Sequence, residues 1–293
     1  MAGDRAGGHL AEIVFRVLPA LLAAVHGAAL AQTLPDFRGA LARNEEIVRI
    51  ETRPGVGVRM LVDQPRGPAK GVFILFPGGD GTLLYPDGTL GGRFGGFRLP
   101  LAEAGYAVAT VDVPSDHPRG LGGKGEKVEV FRISPEHTAD GRAIVNALHA
   151  RWPVPVTLIG HSMGAISVAH LAASLEDPRI AGAVLLSSPG ERGPRGHWFS
   201  TPHAALSKVR VPVLVVHHRD DGCPGARFLT AKFYPGKFTS SPRTGFLEVT
   251  GGRSESSDPC SGNNFHSFFG VRSQVMQGVL RWLGGADVER VGE

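Results

Sequence analysis

Residues 160–164 read Gly160-His161-Ser162-Met163-Gly164, set between an apolar run and a helical run of small residues. No other stretch restricts the possible folds as tightly. The run 154–159 (VPVTLI) has the length and β-branched content of a buried strand, and 164–175 places Ile166, Ala169, Leu171, Ala172 and Leu175 at helical spacing. A chain that passes so abruptly from strand to helix must hold the residue at the bend in a strained backbone conformation. Side chains two residues to either side would collide, which explains the glycine at both places. The Ser162 hydroxyl is then expected to stand clear at the carboxyl end of a sheet, over a helix N-terminus.

The rest of the chain supplies such a sheet. Short apolar runs at 70–76, 106–113, 180–187, 211–217 and 244–250 each end in Gly, Pro or Asp. Continuous apolar strands suit a sheet covered on both faces, hence a parallel one. Helical patterns lie between them at 135–152, 164–175 and 267–283; the first opens on Ser134-Pro135-Glu136, a cap-and-proline signature. Strands alternating with helices predict an α/β fold with a doubly wound, mostly parallel sheet and helices on both faces. Residues 46–62 read as an antiparallel edge hairpin around Arg53-Pro54-Gly55. No linker interrupts the pattern, so 46–284 is expected to form one domain, preceded by an extension at 32–45 and followed by a loose tail at 285–293.

Composition removes several alternatives. Apolar residues make up 42% of the 293 and charged residues 20%, enough for a full core and against wholesale disorder. The 41 glycines and 22 prolines follow no Gly-X-Y period, which excludes collagen. The net charge of +4 is spread along the chain without a basic run, so no nucleic acid partner is expected. A phosphate-binding G-x-x-x-x-G-K-[ST] is absent, and no nucleotide, other cofactor or metal is expected. His217, His218, Asp220 and Asp221 cluster, but without a recognised ligand spacing.

A serine in this setting needs a base, and the base an orienting acid. The run 211–217 leads into His218-Arg219-Asp220-Asp221, and carboxyl ends of parallel strands are where sites form. His266 lies just before the last helix, in Asn263-Asn264-Phe265-His266. Ser162, Asp221 and His266 therefore occur in the order nucleophile, acid, histidine. Asp220 is the alternative acid; neighbours on an extended strand end point oppositely, so only one can serve. Two backbone N–H groups should bind the oxyanion: that of Met163, and that of Gly79 in Phe76-Pro77-Gly78-Gly79-Asp80-Gly81, a glycine-rich loop after the first inner strand. Among the other histidines, His161 is expected to be pinned in the elbow, His217 and His218 to pack or line the cleft, and His137, His149 and His170 to be structural. Phe94, Phe97, Trp198 and Phe199 are candidates for an apolar pocket.

With these parts assembled, the chain from Glu46 to Leu283 resembles the α/β-hydrolase superfamily. Pro77-Gly78-Gly79, the elbow 160–164, the strand 213–221 and His266 carry the resemblance. It implies the α/β-hydrolase fold and a serine hydrolase with the triad Ser162, Asp221 and His266. Members often read H-G-x-x-D at the acid strand; His218 replaces that glycine here, and the spacing maps the acid onto Asp221. Only residues 190–209 separate two inner strands where many relatives carry a helical lid, so a compact member with a minimal cap is expected, similar to dienelactone-hydrolase-like esterases. The expected activity is cleavage of a small-molecule carboxylic ester through an acyl-enzyme. An amidase or acyltransferase with the same triad, and a non-catalytic binding protein on this scaffold, are the alternatives. The oligomeric state is not legible.

The compartment reads from both ends of the sequence. Arg5 and Arg16 precede an apolar run from Val17 that closes in Ala29-Leu30-Ala31. A basic start, a short apolar stretch and an A-x-A site predict a signal peptide over 1–31, cleaved after Ala31, and a periplasmic or secreted protein. The run is too short and too interrupted for stable membrane insertion. An amphipathic first helix is the alternative. Cys223 and Cys260 are the two cysteines. In an exported protein they would form one disulfide, and since the acid and histidine loops must converge on one serine, the two thiols would be near each other. In a cytosolic protein they would be two buried thiols.

Overall fold

Every residue of the strand Val72–Phe76 is buried, and its side chains divide between two cores. Val72, Ile74 and Phe76 enter one cluster, Phe73 and Leu75 the other. The same alternation holds in the neighbouring strands: Leu158 faces the first cluster and Ile159 the second, Val215 the first and Val216 the second. A strand with apolar groups on both pleats must be covered on both sides.

The computed structural model describes residues 37, 39–85, 88–90, 94–118, 120–121, 127–190 and 201–292. Nine strands form one sheet: β1 (Glu45–Arg53), β2 (Val56–Asp63), β3 (Val72–Phe76), β4 (Ala107–Val111), β5 (Val156–His161), β6 (Ile180–Leu186), β7 (Val213–His218), β8 (Thr244–Val249) and β9 (Arg290–Val291), in the order β1-β2-β4-β3-β5-β6-β7-β8-β9. The β1–β2 and β2–β4 pairs are antiparallel and the others parallel. The described helices are α1 (Gly95–Glu103), α2 (Val128–Arg132), α3 (Pro135–Arg151), α4 (Gly164–Ser174), α5 (Phe228–Ala231) and α6 (Arg272–Leu283). Helices α3 and α4 cover the first cluster through Ile144, Val145, Leu148, Val168 and Leu171. Helices α1 and α6 cover the second through Phe97, Leu101, Val275, Met276 and Val279. The doubly wound, mostly parallel sheet expected from the sequence is present, with its antiparallel hairpin at one edge.

Local chemistry sets the element ends. Ser134 caps α3, its Oγ accepting from the His137 N–H at 3.1 Å, with Pro135 at the first helical position. Three features depart from the sequence reading. Helix α1, with Gly95, Gly96 and Pro100, lies where the sequence patterns indicate no helix. The last helix begins at Arg272, not 267, because Phe268 takes a left-handed conformation (φ +52°) after a 3-10 turn at Phe265–Ser267. The expected loose tail 285–293 carries β9, which pairs in parallel with β8. Val291 supplies the reason: it is buried against Gly278 of α6, where a Cβ would stand 2.8 Å from Val291 Cγ1. The expected signal peptide 1–31, with most of the 32–45 extension, lies outside the described residues. Among the described residues no helix is long and apolar enough to cross a membrane.

Candidate active site

The elbow has the strain its sequence demands. Ser162 sits at φ +53°, between the last residue of β5 and the start of α4. Its N–H donates to the Leu186 carbonyl at 2.8 Å, and its own carbonyl accepts from the Ala165 N–H at 2.9 Å. A Cβ on Gly160 would fall 2.3 Å from the Gly164 carbonyl oxygen, and one on Gly164 would fall 2.0 Å from that of Phe76. Both glycines are thus required by contact with backbone, which cannot yield.

Asp221 and His266 meet across two loops. His266 Nδ1 is 2.8 Å from Asp221 Oδ2, with both side chains almost wholly buried. The same oxygen lies 3.2 Å from His217 Nε2, which is also 2.7 Å from the Ala226 carbonyl. Oδ1 accepts from the Cys223 N–H at 2.9 Å. Burial opposes the charge on Asp221, but the facing His266 and the hydrogen bonds from His217 and His266 outweigh it and hold the carboxyl well below the usual range. Asp220 is exposed; its N–H donates to His218 Nδ1 at 3.0 Å. His218 Nε2 pairs with the Gly251 carbonyl at 2.8 Å, and its ring stacks on Phe265, 4.5 Å between centroids, beside His266. His217 and His218 thus support the acid and histidine loops.

His161 joins the elbow to the histidine loop. Its Nε2 lies 2.9 Å from the His266 carbonyl oxygen, and the two rings are 5.1 Å apart. Burial first, and the neighbouring His266 second, push its pKa down to about 3. The ring is therefore neutral, with Nε2–H donating to that carbonyl. Phe94 and Phe97 pack against His161 at 6.3 and 5.4 Å, so these buried rings back the elbow rather than line an open pocket. Trp198 and Phe199 lie outside the described residues. His137 and His170 are stacked at 6.4 Å, both held below the ordinary histidine range chiefly by burial. Among the described residues no hydrogen bond joins the Ser162 hydroxyl to His266; in unliganded sites such bonds are commonly long and tighten with substrate.

The glycine-rich loop lies directly on the serine. A Cβ on Gly78 would stand 3.0 Å from Ser162 Cβ and 3.0 Å from the His161 carbonyl oxygen. Gly79 follows at φ +59° with no atom near its missing Cβ. Met163, the residue after Ser162 and the N-cap of α4, is half-buried. Sequence reasoning missed Arg132: the buried side chain at the end of α2 donates to carbonyls of this loop. No motif marks it. Among the described residues no cluster of His, Cys, Asp or Glu could hold a metal ion.

Cys223 and Cys260 are bonded, with Cα atoms 4.7 Å apart and a separation of 37 positions in sequence. The bond ties the loop after Asp221 to the loop before His266.

The family model for serine aminopeptidases, S33, matches residues 88–223. Among solved structures, the chain superposes on a highly thermostable carboxyl esterase from Bacillus coagulans with a TM-score of 0.58, at 13% identity over 83% of this chain and 99% of that one. The chain has the α/β-hydrolase fold. Est1E from Butyrivibrio proteoclasticus gives a TM-score of 0.54 at 15% identity, covering 81% of this chain and 99% of that one. The acylaminoacyl peptidase of Pyrococcus horikoshii gives 0.53 at 12% identity, covering 89% of this chain and 43% of that one. Identities this low speak to the fold alone. No curated relative matches the sequence.

Proposed function

We propose that this protein is a serine hydrolase that cleaves carboxylic esters of small molecules through an acyl-enzyme. The observation that carries the reading is the buried Asp221–His266 pair, 2.8 Å apart, set against an elbow that strains Ser162 to φ +53°. With Nδ1–H given to the carboxylate, the neutral imidazole keeps Nε2 as an acceptor for the serine proton. Ser162 Oγ attacks the acyl carbon as its proton passes to His266 Nε2. The N–H groups of Gly79 and Met163 stabilise the oxyanion. Collapse of the tetrahedral species expels the alkoxide, which takes the proton from His266. Water then repeats the sequence on the acyl-enzyme and frees the acid and Ser162. Asp221 fixes the tautomer and stabilises the imidazolium throughout.

Amide hydrolysis by the same groups is the second reading, favoured by the family model of serine aminopeptidases over 88–223. Esters need no protonated amine leaving group and are the easier substrate for this machinery. A fluorophosphonate probe together with a short-acyl p-nitrophenyl ester tests the reading: label on Ser162 with turnover supports it, and neither overturns it. A matched anilide separates the two readings. Export with cleavage after Ala31 belongs to the same proposal; the disulfide suits an oxidising compartment. An N-terminus at Gln32 in the mature protein would establish it.

A further inference from the structure

The loop that would bind the oxyanion has three successive carbonyls, and each is held. The Gly78 carbonyl accepts from the Gly81 N–H at 3.1 Å. Those of Pro77 and Gly79, on either side, both accept from Arg132 Nη2, at 3.0 and 3.2 Å. The other end of the guanidinium, Nη1, donates to Ser167 Oγ of α4 at 2.8 Å. The peptides here are planar and trans, so the N–H of Gly79 points opposite to the Gly78 carbonyl. Gly79 and Gly81 both occupy positive φ, a backbone with little stiffness of its own. Arg132 is only 2% exposed; burial pulls its pKa down to about 10, opposed by the charges of Asp80 and Glu129, so the guanidinium stays charged at neutral pH.

We propose that Arg132 is the positioning residue of the oxyanion hole: by gripping the Pro77 and Gly79 carbonyls from a fixed point on α4, it aims the Gly79 N–H at the developing oxyanion. The inference rests on the serine-hydrolase reading above. A guanidinium suits the task because its planar fork reaches two loop carbonyls and Ser167 from one rigid plane, which an ammonium on a flexible stem does not. The work of the loop falls in the transition state. Ground-state binding of an ester carbonyl demands less of it.

The test compares wild type with Arg132→Lys, Arg132→Gln and Ser167→Ala on a short-acyl p-nitrophenyl ester, with fluorophosphonate labelling and thermal melts alongside. Loss of an aimed donor lowers kcat by about 10²–10³-fold. The expected result for both Arg132 variants is a fall of that order with KM changed less than about twofold, a split that general loosening of the site would not give. Ser167→Ala, which removes only the anchor, should lower kcat about fivefold at unchanged KM. If neither Arg132 variant folds, the Ser167 variant decides. Wild-type kcat in a folded Arg132→Lys, or in Ser167→Ala where no Arg132 variant folds, overturns the inference while a labelled wild-type Ser162 leaves the hydrolase reading standing. An unlabelled, inactive wild type overturns both.

Discussion

His161 Nε2 lies 2.9 Å from the backbone carbonyl oxygen of His266, so the residue before Ser162 is tied to the loop that carries His266. The neutral ring donates Nε2–H to that carbonyl, and burial keeps it neutral down to about pH 3. The elbow and the histidine loop, 105 residues apart in sequence, are thus fixed to each other by a hydrogen bond sealed from water.

That bond has a pH signature. The folded pKa of His161 is about 3, against about 6.5 in an unfolded chain. Between those values the unfolded chain takes up a proton that the folded one refuses, so stability falls as pH is lowered from about 6.5 towards 3. One proton corresponds to a slope of about 1.4 kcal/mol per pH unit. His161→Phe keeps the apolar contacts with Phe97 and removes the titration. Urea unfolding across this range should show a slope shallower by about one proton in the variant. The variant should also lose about 1–3 kcal/mol at neutral pH, because the His266 carbonyl loses its donor. Parallel slopes would show that His161 is not the group concerned.

The strain at Ser162 predicts opposite effects on stability and activity. A non-glycine residue at positive φ costs on the order of 1–3 kcal/mol. Ser162→Gly should raise stability by about 1 kcal/mol and abolish turnover. Ser162→Ala keeps the strain, so its stability should match wild type while kcat falls by about 10⁴–10⁶-fold. Chemical denaturation and initial rates on the same preparations measure both. A glycine variant less stable than wild type would place the strain elsewhere.

Asp220 and Asp221 differ in burial and in partner, and the variants should differ accordingly. Asp221→Asn should lower kcat by about 10⁴-fold, since an amide favours the wrong tautomer of His266. Asp220→Asn, at an exposed carboxylate, should cost less than about tenfold. The depressed pKa of Asp221 makes its contribution to stability present above an unfolded value of about 3.9 and lost as pH falls further. The Asn variant should therefore be less sensitive to acid below about pH 4. The reverse ranking of the two variants would reassign the acid.

The sheet was legible because β3 to β8 are short apolar runs stopped by Gly, Pro or Asp, a pattern that burial on both faces imposes. The elbow was legible because Gly160 and Gly164 answer to backbone collisions that allow nothing larger. Helix α1 was not, because Gly95, Gly96 and Pro100 carry loop signals, and it packs through just Phe97, Leu101 and the small Ala102. Arg132 was hidden for a different reason. Its partners are carbonyls of Pro77 and Gly79, more than 50 residues away, and backbone oxygens leave no trace in a side-chain sequence. The pairing of His217 with Asp221 was hidden likewise, since two histidines at a strand end read equally well as packing.

Cys223 connects the disulfide to the chemistry through its own backbone. Its N–H donates to Asp221 Oδ1 at 2.9 Å, while its sulfur is bonded to Cys260, six residues before His266. Between the bond and His266, Asn264 is buried and its side chain donates to the Ser256 carbonyl at 2.9 Å, so the loop is braced from Cys260 to the histidine. Closing 37 residues removes loop entropy from the unfolded chain worth roughly 4 kcal/mol. The double variant Cys223→Ser, Cys260→Ser should lose stability of that order in urea. It should also lose kcat more than KM, because the Asp221–His266 distance is no longer fixed from outside the pair. Titration of the unfolded, unreduced protein should find no free thiol, and the wild type under reductant should approach the double variant in both measurements. A double variant with full kcat would show that the bond protects the fold without preorganising the site.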